Sequence, residues 1–241
     1  MRAGLVAGAA LIAVAGCGAP ADDESSRLNP IGPTVTIPPD GTAGPALDDA
    51  AVRARLLTTA DLPVGFVQAP SLEDLGLPPA DATSETDKSS TDPEQCADVV
   101  APIADQSAGS IGSAAVTFTG PNFSSIDQDV ATYSDPAATQ RAFAAVQETL
   151  GQCTEYRGTD VDGVEISYAL GGRQQRPAGD ASNAYRLVTT SEGFTLTSDL
   201  VLVAVENSVV QLVATGQTPI APDVFAEMTD TAVRNLTEPP A

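Results

Sequence analysis

The sequence predicts an α+β domain in which helices pack against one antiparallel sheet of about five to seven strands. Four β-branched runs in the second half of the chain are joined by turns too short for anything but antiparallel neighbours. Two earlier segments begin with Asp-Pro and then place apolar residues on one helical face. Each of these faces carries one cysteine, so the pair suits a single disulfide between helices.

Residues 1–16 have the organisation of an export signal. One positive charge, Arg2, precedes an apolar run of about a dozen residues, which is too short to span a bilayer. The run ends at Val14-Ala15-Gly16-Cys17, which resembles the lipobox of bacterial lipoproteins. The resemblance implies that Cys17 carries a diacylglycerol and anchors the chain to the outer face of the cytoplasmic membrane. The alternative is an ordinary secretory signal with an incidental cysteine.

Residues 17–45 are predicted to be a flexible tether, because Pro, Gly, Asp, Ser and Thr dominate and large apolar residues are scarce. The domain is predicted to cover residues 46–238. It begins with a helix over 47–57, and residues 71–92 form a polar, exposed loop. Asp92 and Pro93 then indicate the start of a helix. Its apolar face is formed by Cys96, Val99, Val100 and Ile103.

Strands are predicted over 114–119 and 127–133, with a turn at 120–122. A second helix begins at Asp135-Pro136, and its apolar face is formed by Phe143, Val146, Leu150 and Cys153. The four late strands are predicted over 164–170, 184–190, 194–205 and 209–215. A closing helix over 222–236 presents Phe225, Met228, Ala232 and Leu236 to the core.

The composition excludes several classes of function. The chain has 32 Asp plus Glu against 11 Lys plus Arg, a net charge of −21, which repels nucleic acid and anionic lipid head groups. It has no histidine, so Ser-His-Asp and Cys-His catalysis are impossible. In an oxidising exterior, Cys96 and Cys153 predict a disulfide rather than a catalytic thiol. No catalytic residue, metal site or cofactor is expected.

Three minor patterns leave alternatives open. The stretch Asp160-Val161-Asp162-Gly163 has the look of a calcium loop but lacks the later ligands, and a turn between strands is the alternative. Five arginines fall between positions 141 and 186 and either converge on an anionic ligand or form scattered surface ion pairs. Of these, Arg157 and Arg186 are the ligand-binding candidates. A pair of carboxylates for glycosidase-type hydrolysis also stays open.

From Leu57 onward the chain carries a series of further motifs in a fixed order. They are Leu57-Thr58, Asp61-Leu62-Pro63-Val64-Gly65-Phe66, the helix at Cys96, Ala115-Val116-Thr117-Phe118, Val130-Ala131-Thr132-Tyr133, Ala142-Phe143 and Cys153. In this order they resemble the extracellular sensor-domain family of mycobacterial PknH-type serine/threonine kinases. The resemblance implies an α+β domain with a cleft between sheet and helices that binds an extracellular ligand.

The chain departs from the kinase-linked pattern in two ways. It carries no kinase, and it has no cysteine after Cys153, so the second disulfide of the family is missing. Ser198 and Thr215 stand near the positions of those cysteines.

The leading functional hypothesis is a monomeric, non-enzymatic, sensor-like lipoprotein that binds a small molecule or a cell-wall component. Its cleft is predicted to be lined by Leu196, Leu200 and Leu202 of the late strands. A carrier of lipids or other hydrophobic envelope molecules predicts instead a cavity well above the ~300–1,000 Å³ of small-molecule sites. An envelope scaffold predicts an exposed apolar patch, and a hydrolase predicts two cleft carboxylates roughly 5–10 Å apart.

Overall fold

The computed structural model describes residues 28–38, 43–70 and 89–238. Cys17, the predicted site of lipidation, and Lys88, the single lysine, lie outside the described residues. The export signal, the lipid anchor and most of the polar stretch 71–92 therefore stay predictions. Residues 90–92 of that stretch form a strand rather than a loop.

The centre of the domain is one antiparallel sheet of nine strands, in the order β1-β3-β4-β9-β8-β7-β6-β5-β2. The strands are β1 Val67–Gln68, β2 Ser90–Asp92, β3 Gly112–Thr119, β4 Ser125–Thr132, β5 Glu155–Thr159, β6 Glu165–Gly172, β7 Ala181–Ser191, β8 Phe194–Val205 and β9 Ser208–Gly216. The predicted α+β class and antiparallel sheet are confirmed, but the predicted count of five to seven strands is too low. The additional strands β1, β2 and β5 are short, and their residues are polar or exposed apart from two in β5.

The described residues form four α-helices, which are α1 Asp49–Arg53, α2 Ile103–Gln106, α3 Pro136–Gln152 and α4 Pro222–Thr237. The predicted start of α3 is confirmed, since the Asp135 carboxylate accepts a hydrogen bond from the Ala138 N–H. The predicted start at Asp92 is wrong, because Asp92 ends β2 and a 3₁₀ helix follows over Glu94–Val100. Pro102 separates this 3₁₀ helix from α2, because proline disfavours helical backbone at the preceding residue. The predicted helix over 47–57 is α-helical only over α1.

The alternation of side chains along the strands divides the core between the two faces of the sheet. Alternate residues of β8, such as Val203, join one apolar cluster with α1 and α4. The residues between them, such as Leu202, join a second cluster with α2 and α3. We call these sides the α4 face and the α3 face. The predicted disulfide is confirmed, and Cys96–Cys153 joins the 3₁₀ helix to the C-terminal end of α3.

Residues 28–38, which we call the strap, belong to the predicted tether of residues 17–45 but lie against the domain. Gln147 of α3 accepts a hydrogen bond from the Val35 N–H and donates one to the Val35 carbonyl, both at 2.9 Å. Gln140, two turns earlier, accepts from the Ile37 N–H at 2.7 Å. Asn29 forms an antiparallel bridge with Gly172, beyond the point where β5 stops pairing with β6. The strap is thus fixed at both ends.

Candidate functional site

A concavity of about 420 Å³ lies along β5, β6 and β7, and Arg157 is among its lining residues. A groove of the same volume lies on the α3 face and has the more apolar lining. Its floor is formed by β3, β4, β9, β8, β7 and β6, and its wall by the connection between the 3₁₀ helix and α2. The groove lies over the ends of the strands that α3 leaves uncovered. The lining residues are Val100, Pro102, Ala115, Val116, Thr117, Asp127, Gln128, Asp129, Tyr168, Leu187, Thr189, Ser198, Gln211, Val213 and Thr215.

The wall of the groove is held to the floor by polar side chains of the sheet. The Ile103 N–H, at the start of α2, donates to Asp129 Oδ1 at 2.6 Å. The buried Gln211 donates to the Ala101 carbonyl at 3.2 Å and accepts from Gln106 at 3.3 Å. Because the helical backbone is interrupted at Pro102, these backbone groups have no partners within a helix, and side chains of the sheet bind them instead. The same polar residues therefore shape the groove and line it.

Two carboxylates lie side by side on the floor, at alternate positions of β4. Asp127 accepts hydrogen bonds from the hydroxyls of Thr117 at 2.8 Å and Ser125 at 2.9 Å. Burial raises the pKa of Asp129 to about 6, despite the hydrogen bond from the Ile103 N–H. Neither carboxylate takes part in an ion pair with a described residue. The groove thus carries uncompensated negative charge.

Hydroxyl groups occupy the rest of the polar lining. Ser198 and Thr215 are directly opposite each other on β8 and β9, and their hydroxyls are 2.8 Å apart. This hydrogen-bonded pair lies where the resemblance placed the missing second disulfide. Tyr168 stacks on Tyr156 with ring centroids 4.5 Å apart, and burial raises its pKa.

The arginines singled out from the sequence lie away from this groove. Arg186 extends over the α4 face and forms two hydrogen bonds with the buried carboxylate of Asp199, at 2.7 and 3.0 Å. Arg173 also contacts Asp199, at 3.2 Å. Arg157 is exposed and pairs with Glu165 at 3.2 Å. Ligand binding by Arg157 and Arg186 stays a prediction.

The predicted cleft leucines are only partly in place. All three lie on the α3 face, but Leu200 and Leu202 are fully buried in the core beneath α3 and do not line the groove. Leu196 is half-buried and lies beyond the groove, toward the hairpin tip. The prediction that these leucines line the cleft was therefore wrong for this groove. The sequence of β8 does not show how much of the strand α3 covers.

Sequence reasoning missed Asp127 and Asp129, although a signal for them was present. Along β4 the residues facing α4 are all buried, whereas those facing α3 are Ser125, Asp127 and Asp129 before the buried Ala131. In an antiparallel sheet, a strand face that packs on the core carries mainly apolar residues and a solvated face carries polar ones. A polar interruption on one face of such a strand therefore indicates where that face is open.

The loop at 160–163 forms a turn between strands β5 and β6, which was the alternative to a calcium loop. Asp160 Oδ1 accepts from the N–H groups of Asp162 and Val164, both at 2.9 Å, and Gly163 has a positive φ of 81°. Within the described ranges, no group of three or more Asp, Glu, Cys or His residues could hold a metal ion.

An aromatic pair is exposed at the end of the sheet where the groove lies. Phe123, in the turn between β3 and β4, is 82% exposed, and Phe194, at the start of β8, is 45% exposed. Their rings meet edge to face with centroids 6.5 Å apart. Phe123 also has a φ of +59°, which is unfavourable for a bulky residue. Asn122 before it has a φ of 56°, and positive φ at both central residues is the backbone of a type I′ hairpin turn.

Known proteins resemble the chain at the level of the domain. The sequence profile of the PknH-like extracellular domain matches residues 47–235. The crystal structure of the extracellular domain of PknH from Mycobacterium tuberculosis superposes with a TM-score of 0.51 and 12% identity, covering 78% of this chain and 97% of that one. A putative uncharacterized protein from Mycobacterium smegmatis aligns with a TM-score of 0.40 and 15% identity, over 80% of this chain and 99% of its own. No curated protein sequence matches.

Among the described helices, none has the length and apolar character needed to cross a bilayer.

Proposed function

Because the chain belongs to the PknH-like extracellular domain family, we propose that it is a non-catalytic, sensor-like domain that binds a small ligand outside the cytoplasmic membrane. The groove on the α3 face is its binding site. The proposal includes anchoring of the chain through a lipid on Cys17, outside the described residues.

The observation that carries the proposal is the groove itself. Its volume of about 420 Å³ lies in the usual ~300–1,000 Å³ range of small-molecule sites. Apolar side chains such as Val213 and Leu187 share its lining with carboxylates, hydroxyls and an amide. This mixture provides both burial and orientation for a ligand. A lipid carrier needs a larger cavity than the described residues form.

The two carboxylates do not support a hydrolase. Glycosidase carboxylates stand on opposite sides of the bond that breaks. Asp127 and Asp129 project from one strand in the same direction, so they contact the same side of any ligand. Both oxygens of Asp127 also accept hydrogen bonds from neighbouring hydroxyls. The arrangement supports recognition of a ligand rather than attack on one.

Native mass spectrometry of the protein purified from its own envelope tests the proposal. A retained small molecule is expected, and the variant Ala115→Trp should lose it, because Ala115 is exposed on the groove floor. The matched control is Ala137→Trp, at an exposed position of α3 outside the groove lining. Retention of the same mass by Ala115→Trp at the wild-type level would refute the groove as the site.

The exposed aromatic pair favours a second candidate function, an envelope scaffold that acts through protein contacts. Phe123 and Phe194 form an apolar surface outside the groove lining. Replacement of both by serine should then remove cross-linked partners in the envelope while leaving ligand retention unchanged. If cross-linking is unaltered, the scaffold function is excluded.

A further inference from the structure

We infer that the groove takes an organic cation, an ammonium group carried on a partly apolar body. This inference rests on the proposed function and specifies its ligand. It is argued from the charges of the lining, their spacing and the apolar surface beside them.

The first argument is the charge of the lining. Besides Asp127 and Asp129, the only ionisable side chain that lines the groove among the described residues is Tyr168. The hydrogen bonds that Asp127 and Asp129 accept come from uncharged hydroxyl and backbone N–H donors. The ion pairs between described residues involve other carboxylates, those of Glu165, Asp199 and Asp230. An anionic ligand would meet like charge, whereas a cation would supply the missing counter-charge.

The second argument is the spacing of the carboxylates. Asp127 and Asp129 are two residues apart on one face of β4, which places their Cα atoms about 7 Å apart. One ammonium group between them is within reach of both carboxylates and has three donors to share. Asp129 favours such a partner, because its carboxylate is largely removed from water without a compensating cation.

The third argument is the apolar surface beside the carboxylates. Val100 and Pro102 form the wall, and Val213 and Leu187 lie on the floor. A bare inorganic cation would leave this surface unused, and the described residues lack the cluster of three ligands that a metal ion needs. A cation with an apolar body covers both parts of the groove.

Three probes with one body and different head groups test the inference on the full protein. They are 4-phenylbutylamine, 4-phenylbutanol and 5-phenylpentanoate, each with a phenyl ring on four methylenes, titrated separately and followed by amide chemical shifts of the groove residues. We expect the amine to bind about tenfold more tightly than the alcohol, because hydrogen bonds to charged groups exceed neutral ones by about 1–1.5 kcal/mol. The carboxylate should bind most weakly of the three.

The double variant Asp127→Asn with Asp129→Asn should abolish the preference for the amine while leaving the alcohol unaffected. Asparagine keeps an oxygen acceptor at each position, so the fold is expected to survive. The control Glu227→Gln removes one negative charge from an exposed position of α4, on the opposite face, and should leave the preference unchanged.

The outcomes separate this inference from the proposed function. Equal binding of amine and alcohol, or an amine preference that survives in the double variant, would overturn the cationic ligand but leave the groove as a binding site. If no probe shifts the groove residues at any concentration that keeps the protein folded, both the inference and the proposed function fail.

Discussion

The substitution Asp129→Asn should make the protein more stable at neutral pH. Burial raises the folded-state pKa of this carboxyl from 3.8 to about 6, so the folded state binds a proton more tightly than the unfolded state. The group therefore contributes its full stability below about pH 4 and loses that contribution as the pH rises through 6. A shift of about two units corresponds to roughly 3 kcal/mol at pH 8.

Asparagine has no charge to bury and still offers an oxygen to the Ile103 N–H, although this bond is weaker than one to a carboxylate. We therefore expect the variant to gain about 1–3 kcal/mol at pH 8 and little or nothing at pH 4. Urea unfolding at pH 4, 5, 6, 7 and 8, followed by circular dichroism with the disulfide intact, measures this difference. Glu227→Gln serves as the control and should show no comparable gain.

The result that would refute the reasoning is a variant less stable than wild type at pH 8, or a difference that does not change between pH 4 and pH 8. A gain in stability combined with a loss of amine binding would mean that Asp129 is kept for the ligand at a cost to the fold. Such a trade-off is common at binding and active sites.

Three further predictions concern the framework. Replacing Cys96 and Cys153 together by alanine should lower the free energy of unfolding by about 4 kcal/mol, because the bridge closes a loop of 57 residues; an unchanged urea midpoint would contradict this. Gln147→Ala removes two hydrogen bonds to the strap. The Gly172 N–H, which donates to the strap, should then exchange with solvent about 30-fold faster. Unchanged exchange would show that other contacts hold the strap. The double variant Ser198→Cys with Thr215→Cys should oxidise to a second disulfide, because the two residues are direct cross-strand partners. Mass spectrometry would show this bond as a loss of two mass units. Free thiols after air oxidation would contradict the register of β8 and β9.

The parts of the fold that the sequence predicted are those with a strong period. α3 has a proline start and a regular apolar face, and β8 and β9 are long β-branched runs that are largely buried. β5 was missed because Tyr156 and Gly158 are its only buried residues, and charged residues flank Tyr156. The 3₁₀ helix was mistaken for an α-helix because its apolar spacing suits both, and only Pro102 distinguishes them.

The strap and the groove depend on contacts that sequence spacing does not encode. The strap looks like a linker because it is rich in proline, yet Gln147, more than a hundred residues later, holds its backbone. The pKa of Asp129 is raised by burial, and this burial depends on the groove wall, which another segment of the chain forms. In the sequence, Asp129 therefore looks like an ordinary polar residue of a strand. The disulfide needed only two cysteines and an oxidising location, and it was predicted correctly.

The strap has a practical consequence for anyone who shortens this chain. A fragment that starts at residue 47, where the family profile begins, would lack it. The Gly172 N–H would lose its bond to Asn29, and the apolar surface under Ile31, Val35 and Ile37 would meet water. An unpaired strand edge beside apolar surface recruits other chains. Dimers or aggregates of such a fragment would therefore reflect the truncation, and expression should start at or before residue 28.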